Sequence, residues 1–141
     1  MHSDNVSVRW VDKFTFIAST PQGFSVIIDY PENEGEKPKS LCPTEMLLSA
    51  IGACTGSDVV HIMRKMRQDL TGLRVEVMGE KTDSEPEYYK HFHIKYIVEG
   101  RSISKDSLEK AIHLSHEKYC TVSLTVDGKA KVDWSYEIIE K

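Results

Sequence analysis

The first thirty residues alternate between apolar and polar side chains with the period of two that is typical of β-strands. Val6, Val8 and Trp10 are the apolar members of the first repeat, which predicts a half-buried strand. Two further strands are predicted over residues 14–19 and 24–29, joined by a turn-forming Pro-Gln-Gly segment. We therefore expect an N-terminal antiparallel meander.

A long apolar helix is predicted after the polar loop formed by residues 31–42. Pro43 suits the first turn of this helix, and from Thr44 onward the first half is apolar almost all round. Such a helix is expected at the centre of a domain or at a dimer interface. Gly52 and Gly56 either permit the close approach of another backbone or bend and break the helix.

The rest of the chain predicts a second group of strands with one more helix. These elements are strands over residues 73–77 and 92–98, a helix that begins near Ser104, and a last strand over residues 132–138. Asp127-Gly128 is a turn signal before the last strand. The order is three strands, a long helix, two strands, a helix and a strand, so the fold class is α+β in a single domain over residues 1–141.

Composition and charge are those of a soluble globular protein. The chain of 141 residues is 40% hydrophobic and 28% charged, and its net charge is −4. Without a basic block, binding of nucleic acid or of an anionic membrane has no electrostatic support. The N-terminal residues lack the apolar core of a signal peptide, and the longest apolar stretch is shorter than the ~20 residues of a membrane span. We expect a cytoplasmic protein.

Three cysteines, Cys42, Cys54 and Cys120, carry the candidate chemistry. An odd number of cysteines favours a reducing compartment, with free or reversibly oxidised thiols. Cys120 lies at or just after the end of the second predicted helix. Cys54 and Cys120 form a reactive pair if the fold brings their helices together, and otherwise Cys54 is a small buried apolar residue. Cys42 is interpreted as incidental, with an alternative role as a resolving thiol.

Two motifs around these cysteines resemble those of a known superfamily. The segment PTEMLLSAIGACTGSDVV resembles the first-cysteine helix of the OsmC/Ohr superfamily, and LEKAIHLSHEKYCTVS resembles its second-cysteine motif. The separation of 66 residues between the two cysteines and the flanking strands also fit. The chain looks closest to the YhfA-like branch. This resemblance implies an intertwined homodimer with the long helix at its centre and two equivalent sites near the subunit interface.

The resemblance also implies a cofactor-free and metal-free thiol reaction. Cys54, as a thiolate, would attack the terminal oxygen of an organic hydroperoxide and become a sulfenic acid, and Cys120 would condense with it into a disulfide. A dithiol reductant would then restore both thiols. The superfamily supports its thiolate with a glutamate and an arginine. The corresponding candidates here are Glu45, one position later than the usual place, and Arg9, with Lys13 as the other candidate cation.

Asp58 gives a reason to keep a second function open. It follows Cys54 by one helical turn, and a nearby carboxylate disfavours a thiolate. Alternatively, Asp58 caps a new helix after a break at Gly56. If Asp58 suppresses thiolate formation, the chain is a non-catalytic dimer that binds a small apolar ligand or senses oxidation slowly.

The histidines are interpreted as structural or solvent-exposed. His91 and His93 lie on one face of a strand, and a solvated face is favoured over a metal pair because no further ligands have recognisable spacing. His61 lies about two turns, or ~10 Å, beyond the first cysteine, too far to act as its base within one chain. His113 and His116 are assigned to the surface of the second-cysteine helix.

Overall fold

A computed structural model describes residues 3–141 of the protein. The strands are β1 (Ser7–Asp12), β2 (Thr15–Ser19), β3 (Ser25–Asp29), β4 (Asp69–Lys81), β5 (Tyr89–Arg101) and β6 (Lys131–Glu140). The helices are α1 (Pro43–Lys65), α2 (Lys105–Leu114), a π-helix (Ser115–Tyr119) and α3 (Thr121–Val126). The predicted α+β class and element order are confirmed. The π-helix and α3 were not predicted.

The chain divides into two compact units, one ending at Leu47 and the other spanning Leu48–Lys141, with the division inside α1. In the N-terminal unit, β1, β2 and β3 form the predicted antiparallel meander. The register of the three strands places one set of apolar side chains on one face. This apolar face consists of Val8, Trp10, Phe16, Ala18, Val26 and Ile28.

The apolar face of the N-terminal sheet is largely open to solvent in the single chain. Val8 and Trp10 are 57% and 63% exposed, and Val26 is 39% exposed. The alternation of side chains in β1 was predicted correctly, but the prediction that this strand is half-buried is wrong, since all its residues are exposed. Alternation fixes which side chains share a face, whereas burial requires a second layer on that face.

In the C-terminal unit, helices cover one face of a second sheet. β4 and β5 are antiparallel, and β5 and β6 are parallel. The largest buried side chains come from α1, β5 and α2, and they include Ile51, Val59, Met63, Phe92, Ile94, Tyr96, Val98, Leu108 and Ile112. Across this core, the α2 residues Glu109 and His113 contact Tyr136 and Trp134 of β6.

Helix α1 runs without interruption through both of its glycines. A Cβ atom at Gly52 would lie 3.2 Å from Val77, and one at Gly56 would lie 3.3 Å from Val75. The glycines therefore allow the helix to pack closely on β4, as one of the two sequence interpretations expected. The alternative, a break at Gly56, is wrong.

By length and composition alone, α1 would suffice to cross a membrane, with a mean hydropathy of 1.4 over its most apolar window. The core helix of a soluble protein passes the same test, and 33% of that window is buried inside the protein. This feature is weak evidence for a membrane span.

The second-cysteine segment begins at a well-defined helix cap. The backbone N–H of Ser107 donates to the side chain of Ser104 at 3.2 Å, which confirms the predicted start of α2. At the other end, the backbone widens into the π-helix, and the N–H of Cys120 donates to the carbonyl of Ser115 at 2.7 Å. Cys120 then takes an extended conformation and caps the N-terminus of α3. π-helical turns are rare and are frequent at functional sites.

Candidate functional site: a thiol pair beside a buried polar network

The fold brings the thiols of Cys54 and Cys120 together, although they lie far apart in the sequence. Cys54 is half-buried in the middle of α1, and Cys120 is fully buried just after the π-helix. The two thiols are close enough for Cys54 to contribute to the raised pKa of Cys120. All three cysteines of the chain are free thiols. Two adjacent free thiols are the starting arrangement for reversible disulfide formation.

The surroundings of Cys120 favour its protonated form. Burial is the largest effect, and it raises the pKa of the Cys120 thiol. Ser123 acts in the opposite direction and lowers the pKa: its backbone N–H donates to the Cys120 sulfur at 3.4 Å, and its hydroxyl oxygen lies 3.2 Å from that sulfur, close enough to donate to a thiolate. The net direction is upward, so Cys120 retains its proton to a higher pH than an ordinary thiol.

A buried polar network of five side chains lies beside the two thiols. The Thr55 hydroxyl is 2.6 Å from the Tyr96 hydroxyl and 2.8 Å from the Ser115 hydroxyl. Ser115 donates to Oδ2 of Asp58 at 2.9 Å, and the Tyr96 hydroxyl is 2.7 Å from Nε2 of His116. Thr55, Tyr96 and Ser115 are completely buried. The network therefore joins α1, β5 and the π-helix through hydrogen bonds in the core.

The two ends of the buried polar network are half-buried titratable groups, Asp58 and His116. The sequence interpretation of Asp58 as a helix cap is wrong, because α1 continues past it and its carboxylate binds Ser115. The surface assignment of His116 is also wrong, since the ring is half-buried and contacts Tyr96. The π-helix explains this difference, because its wider turn rotates side chains away from the positions predicted for an α-helix.

Burial shifts the acidity of two members of this network. It lowers the pKa of His116, with a further contribution from the nearby His113, while Asp58 and Asp127 act in the opposite direction. His116 is therefore neutral over a wider pH range than an ordinary histidine. Burial also raises the pKa of Tyr96 well above its usual range, so the phenol stays protonated.

The two supporting residues suggested by the sequence lie in the N-terminal unit. The Glu45 carboxylate accepts from the backbone N–H of Cys42 at 3.0 Å, and this bond lowers the pKa of Glu45. This is the geometry of a helix-capping carboxylate. Arg9 is exposed on β1, and Lys13 lies 3.8 Å from the carboxylate of Glu32. Any role of Glu45 or Arg9 toward the first cysteine stays a prediction.

Two grooves flank α1 within the C-terminal unit. One has a volume of about 550 Å³ and is lined by Asp58, His61, Ile62, Lys65, Met66, Lys110, Leu114 and Tyr119. The other has a volume of about 670 Å³ and is lined by α1 residues on the side of Gly52 and Gly56, together with Leu73 and Val75 of β4. The volume of the first groove is large enough for a small molecule. Because its lining combines apolar side chains with a carboxylate and two lysines, it suits an amphipathic one.

His91 and His93 share one face of β5, as predicted, and both contact Asp133 on β6. Nε2 of His93 also lies 2.9 Å from the hydroxyl of Ser135. The two histidine hydrogen bonds lower the pKa of Asp133. Within residues 3–141, no group of three or more His, Cys, Asp or Glu side chains is arranged to hold a metal ion.

Sequence reasoning found the two cysteines but missed the hydroxyls of the network. Thr55 directly follows the first cysteine, and Ser115 falls at helical spacing with Leu108, Ala111 and Ile112 on one face of the second helix. A polar residue on a core-facing position needs a hydrogen-bond partner, which was the available signal. The partner on β5, Tyr96, was indistinguishable from the other apolar-facing residues of its strand.

Comparison with known proteins agrees with this fold. The family model described as OsmC-like protein matches residues 35–135. Protein YhfA of Escherichia coli K12 is 35% identical over 132 residues, which cover 94% of this chain and 96% of that protein. This chain therefore belongs to the OsmC-like family, as its two cysteine motifs had indicated.

Solved structures share the fold over nearly the whole chain. A hypothetical protein from Aquifex aeolicus VF5 is 31% identical with a TM-score of 0.86, and the match covers 100% of this chain and 99% of that one. The organic hydroperoxide resistance protein OhrB of Bacillus subtilis has a TM-score of 0.65 at 15% identity, covering 96% of this chain and 98% of that one. The peroxide-resistance relative is distant, and its similarity establishes the fold.

Proposed function

We propose that this protein is a cysteine-dependent reductase of organic hydroperoxides that acts as a homodimer in the cytoplasm. The observation that carries the proposal is the proximity of a half-buried thiol, Cys54, to a buried thiol, Cys120. Membership of a family with hydroperoxide-resistance members adds support. The odd number of free cysteines fits a reducing compartment.

The proposed reaction has three steps. The Cys54 thiolate attacks the terminal hydroperoxide oxygen, the O–O bond breaks, and the leaving alkoxide takes a proton to become an alcohol. The resulting sulfenic acid condenses with the Cys120 thiol, which forms the disulfide and releases water. An external dithiol then reduces the disulfide by thiol–disulfide exchange and is itself oxidised to a disulfide.

The difference in burial between the two cysteines supports the proposed division of roles. Attack on a hydroperoxide requires access to the sulfur, and Cys54 is the more exposed of the pair. Cys120 is completely buried, and its raised pKa keeps it as a thiol. A buried, protonated thiol is a poor nucleophile toward hydroperoxide but is well placed to react with a sulfenic acid formed beside it.

The homodimer is supported by the apolar face of the N-terminal sheet. Six apolar side chains share this face, and the most exposed, Trp10 and Val8, are 63% and 57% accessible. Contiguous exposed apolar surface of this kind commonly marks a protein interface. In the dimer, Glu45 and Arg9 of one subunit are the candidates to support the Cys54 thiolate.

The test is stopped-flow oxidation of the reduced protein by cumene hydroperoxide, with hydrogen peroxide for comparison. We expect faster reaction with the bulky organic hydroperoxide, because both grooves that flank α1 contain apolar side chains, among them Ile62 and Leu114 in one and Val60 and Val75 in the other. Cys54→Ser should abolish the reaction. Cys120→Ser should still consume one equivalent but accumulate the sulfenic acid, which a dimedone probe traps. Cys42→Ser serves as the matched control and should behave like the wild type.

Turnover of Cys54→Ser at the wild-type rate would refute the enzyme assignment. A second candidate function, a dimer that binds a small amphipathic ligand or senses oxidation slowly, is favoured by the groove of about 550 Å³ lined in part by Asp58. Titration of thiolate absorbance separates the two. A Cys54 midpoint below about 7 supports the enzyme, and one near ~8.5 or above supports the second candidate.

A further inference from the structure

The buried polar network contains three hydroxyl groups, and each has only one proton to donate. Ser115 uses its proton toward the Asp58 carboxylate, which accepts at 2.9 Å. In the 2.8 Å bond between Ser115 and Thr55, the donor must therefore be Thr55. Since its single proton is then used, the 2.6 Å bond between Thr55 and Tyr96 has Tyr96 as its donor.

The same count of donated protons determines which ring nitrogen of neutral His116 carries the proton. The proton of Tyr96 points to Thr55, so the 2.7 Å contact between the Tyr96 hydroxyl and Nε2 of His116 needs a proton on that nitrogen. An ionised Asp58 thus orients every hydrogen bond of the network in one direction. Neutral His116 carries its proton on Nε2, although solvent alone would allow either tautomer.

We infer that the buried polar network is a directional proton relay between His116 and Asp58. The path is continuous, with no donor–acceptor distance in it longer than 2.9 Å. Its interior is sealed from water, because Thr55, Tyr96 and Ser115 have no exposed surface. Its two ends are half-buried and titratable.

One passage of the relay moves one proton. His116 takes a proton from water on Nδ1 and passes its Nε2 proton to Tyr96. Tyr96 passes its own proton to Thr55, Thr55 passes one to Ser115, and Ser115 protonates the Asp58 carboxylate. One proton has entered and one has arrived, and every intervening hydroxyl still carries one. When Asp58 gives up its proton, the hydroxyls rotate back, and His116 loses its Nδ1 proton to water and regains one on Nε2, which restores the original direction.

The relay ends where the thiol chemistry needs a proton. Asp58 follows Cys54 by four residues on a continuous helix, which makes their side chains neighbours on its surface. Protonated Asp58 can supply the proton that a leaving alkoxide requires, and this use of the relay rests on the proposed function. Asp58, which the sequence suggested as an obstacle to a thiolate, would then be neutralised at the step where its charge is unfavourable.

The direction of the relay is tested by the tautomer of His116, read from its ring nitrogens by ¹⁵N NMR of the reduced protein near pH 8. The wild type should show a proton on Nε2. Thr55→Val removes the acceptor of the Tyr96 proton, so Tyr96 should turn to His116 and drive the ring to the Nδ1–H tautomer. Thr55→Ser keeps the hydroxyl and should keep the wild-type tautomer. Thr125→Val, outside the network, is the control.

The relay would be overturned if His116 of the wild type carried its proton on Nδ1, or if the His116 tautomer were the same in Thr55→Val as in the wild type. If Thr55→Val does not fold, Ser115→Ala answers the same question, because Thr55 is then free to donate to Tyr96 and the ring should lose its fixed Nε2 proton. Retention of a pure Nε2–H ring in Ser115→Ala would overturn the relay as well.

A separate experiment tests whether the relay supplies protons to the thiol reaction. It measures the rate at which tert-butyl hydroperoxide oxidises Cys54. Loss of a general acid typically costs 10²–10⁴-fold, and we expect Thr55→Val to slow the reaction at least about tenfold while Thr55→Ser restores it. An unchanged rate in a Thr55→Val protein whose tautomer has switched would refute proton supply to the reaction. If the wild type does not react at all, the proposed function fails, and the tautomer experiment still decides the relay.

Discussion

At the scale of single residues, the two thiols of the site differ in burial more than in chemistry. Cys120 is enclosed, and burial raises its pKa against the opposing hydrogen bonds of Ser123. Cys54 is half-buried and close enough to Cys120 to contribute to that shift. A pair in which one member is reached from solvent and the other is held as a thiol beside it suits sequential oxidation and condensation.

The raised pKa of Cys120 predicts how stability depends on pH. Between the ordinary pKa of a thiol, near ~8.5, and the raised value, the native state keeps a proton that the unfolded chain has lost. The free energy of unfolding should therefore be unaffected by this group below about pH 8. It should fall as pH rises above that, with a limiting slope of ~1.4 kcal/mol per pH unit.

Denaturant unfolding of the reduced protein from pH 7 to 10 measures this dependence. The wild type should lose more stability than Cys120→Ala over the alkaline part of the range, and Cys42→Ala should follow the wild type. Tyr96 and Tyr136, whose pKa values are raised as well, affect both proteins equally near pH 10 and cancel in this comparison. Parallel curves for wild type and Cys120→Ala would show that burial does not shift this thiol.

At the scale of elements, sequence patterns predicted helices and strands well where periodicity is regular. Alternation in residues 92–98 indicated β5, and Pro43 marked the first residue of α1. The π-helix was missed because a single extra residue in a turn leaves almost no trace in hydrophobic spacing. For that reason His116 was assigned to the surface, and the buried polar network could not be predicted.

The position of the second cysteine depends on where α2 begins. Ser104 caps this helix by accepting from the N–H of Ser107 at 3.2 Å. Ser104→Ala should lower the free energy of unfolding by about 1 kcal/mol, because the cap bond is lost. Ser107→Ala is the matched control, since Ser107 contributes its backbone N–H to this bond, and its effect should be much smaller. Equal losses in thermal or urea unfolding would argue against the cap.

At the scale of the whole molecule, the family and the α+β order could be predicted from two motifs and the strand pattern. The exposure of the apolar face of the N-terminal sheet could not be predicted, because the burial of a strand depends on what packs against it. Val8 and Val26 are exposed at facing register positions of that sheet, both paired to Ala18. A second copy of the chain is the partner that the proposed function requires.

Dimerisation gives a prediction with a control on the same strands. Sedimentation velocity should find the wild type at twice the chain mass of 16.1 kDa. The double variant Val8→Asp and Val26→Asp should shift toward the monomer, since it places charges on the apolar face. Ser7→Asp with Ser25→Asp alters the opposite face of the same strands and should stay dimeric. A monomeric wild type would contradict the proposed assembly.

The proposed reaction depends most directly on Cys54 and Cys120 reacting as a pair. One equivalent of cumene hydroperoxide added to the fully reduced protein, followed by thiol blocking and peptide mass spectrometry, measures this. We predict a disulfide between Cys54 and Cys120, with Cys42 recovered in its blocked form. Recovery of all three thiols blocked, or a disulfide that includes Cys42 in place of either partner, would contradict the central claim.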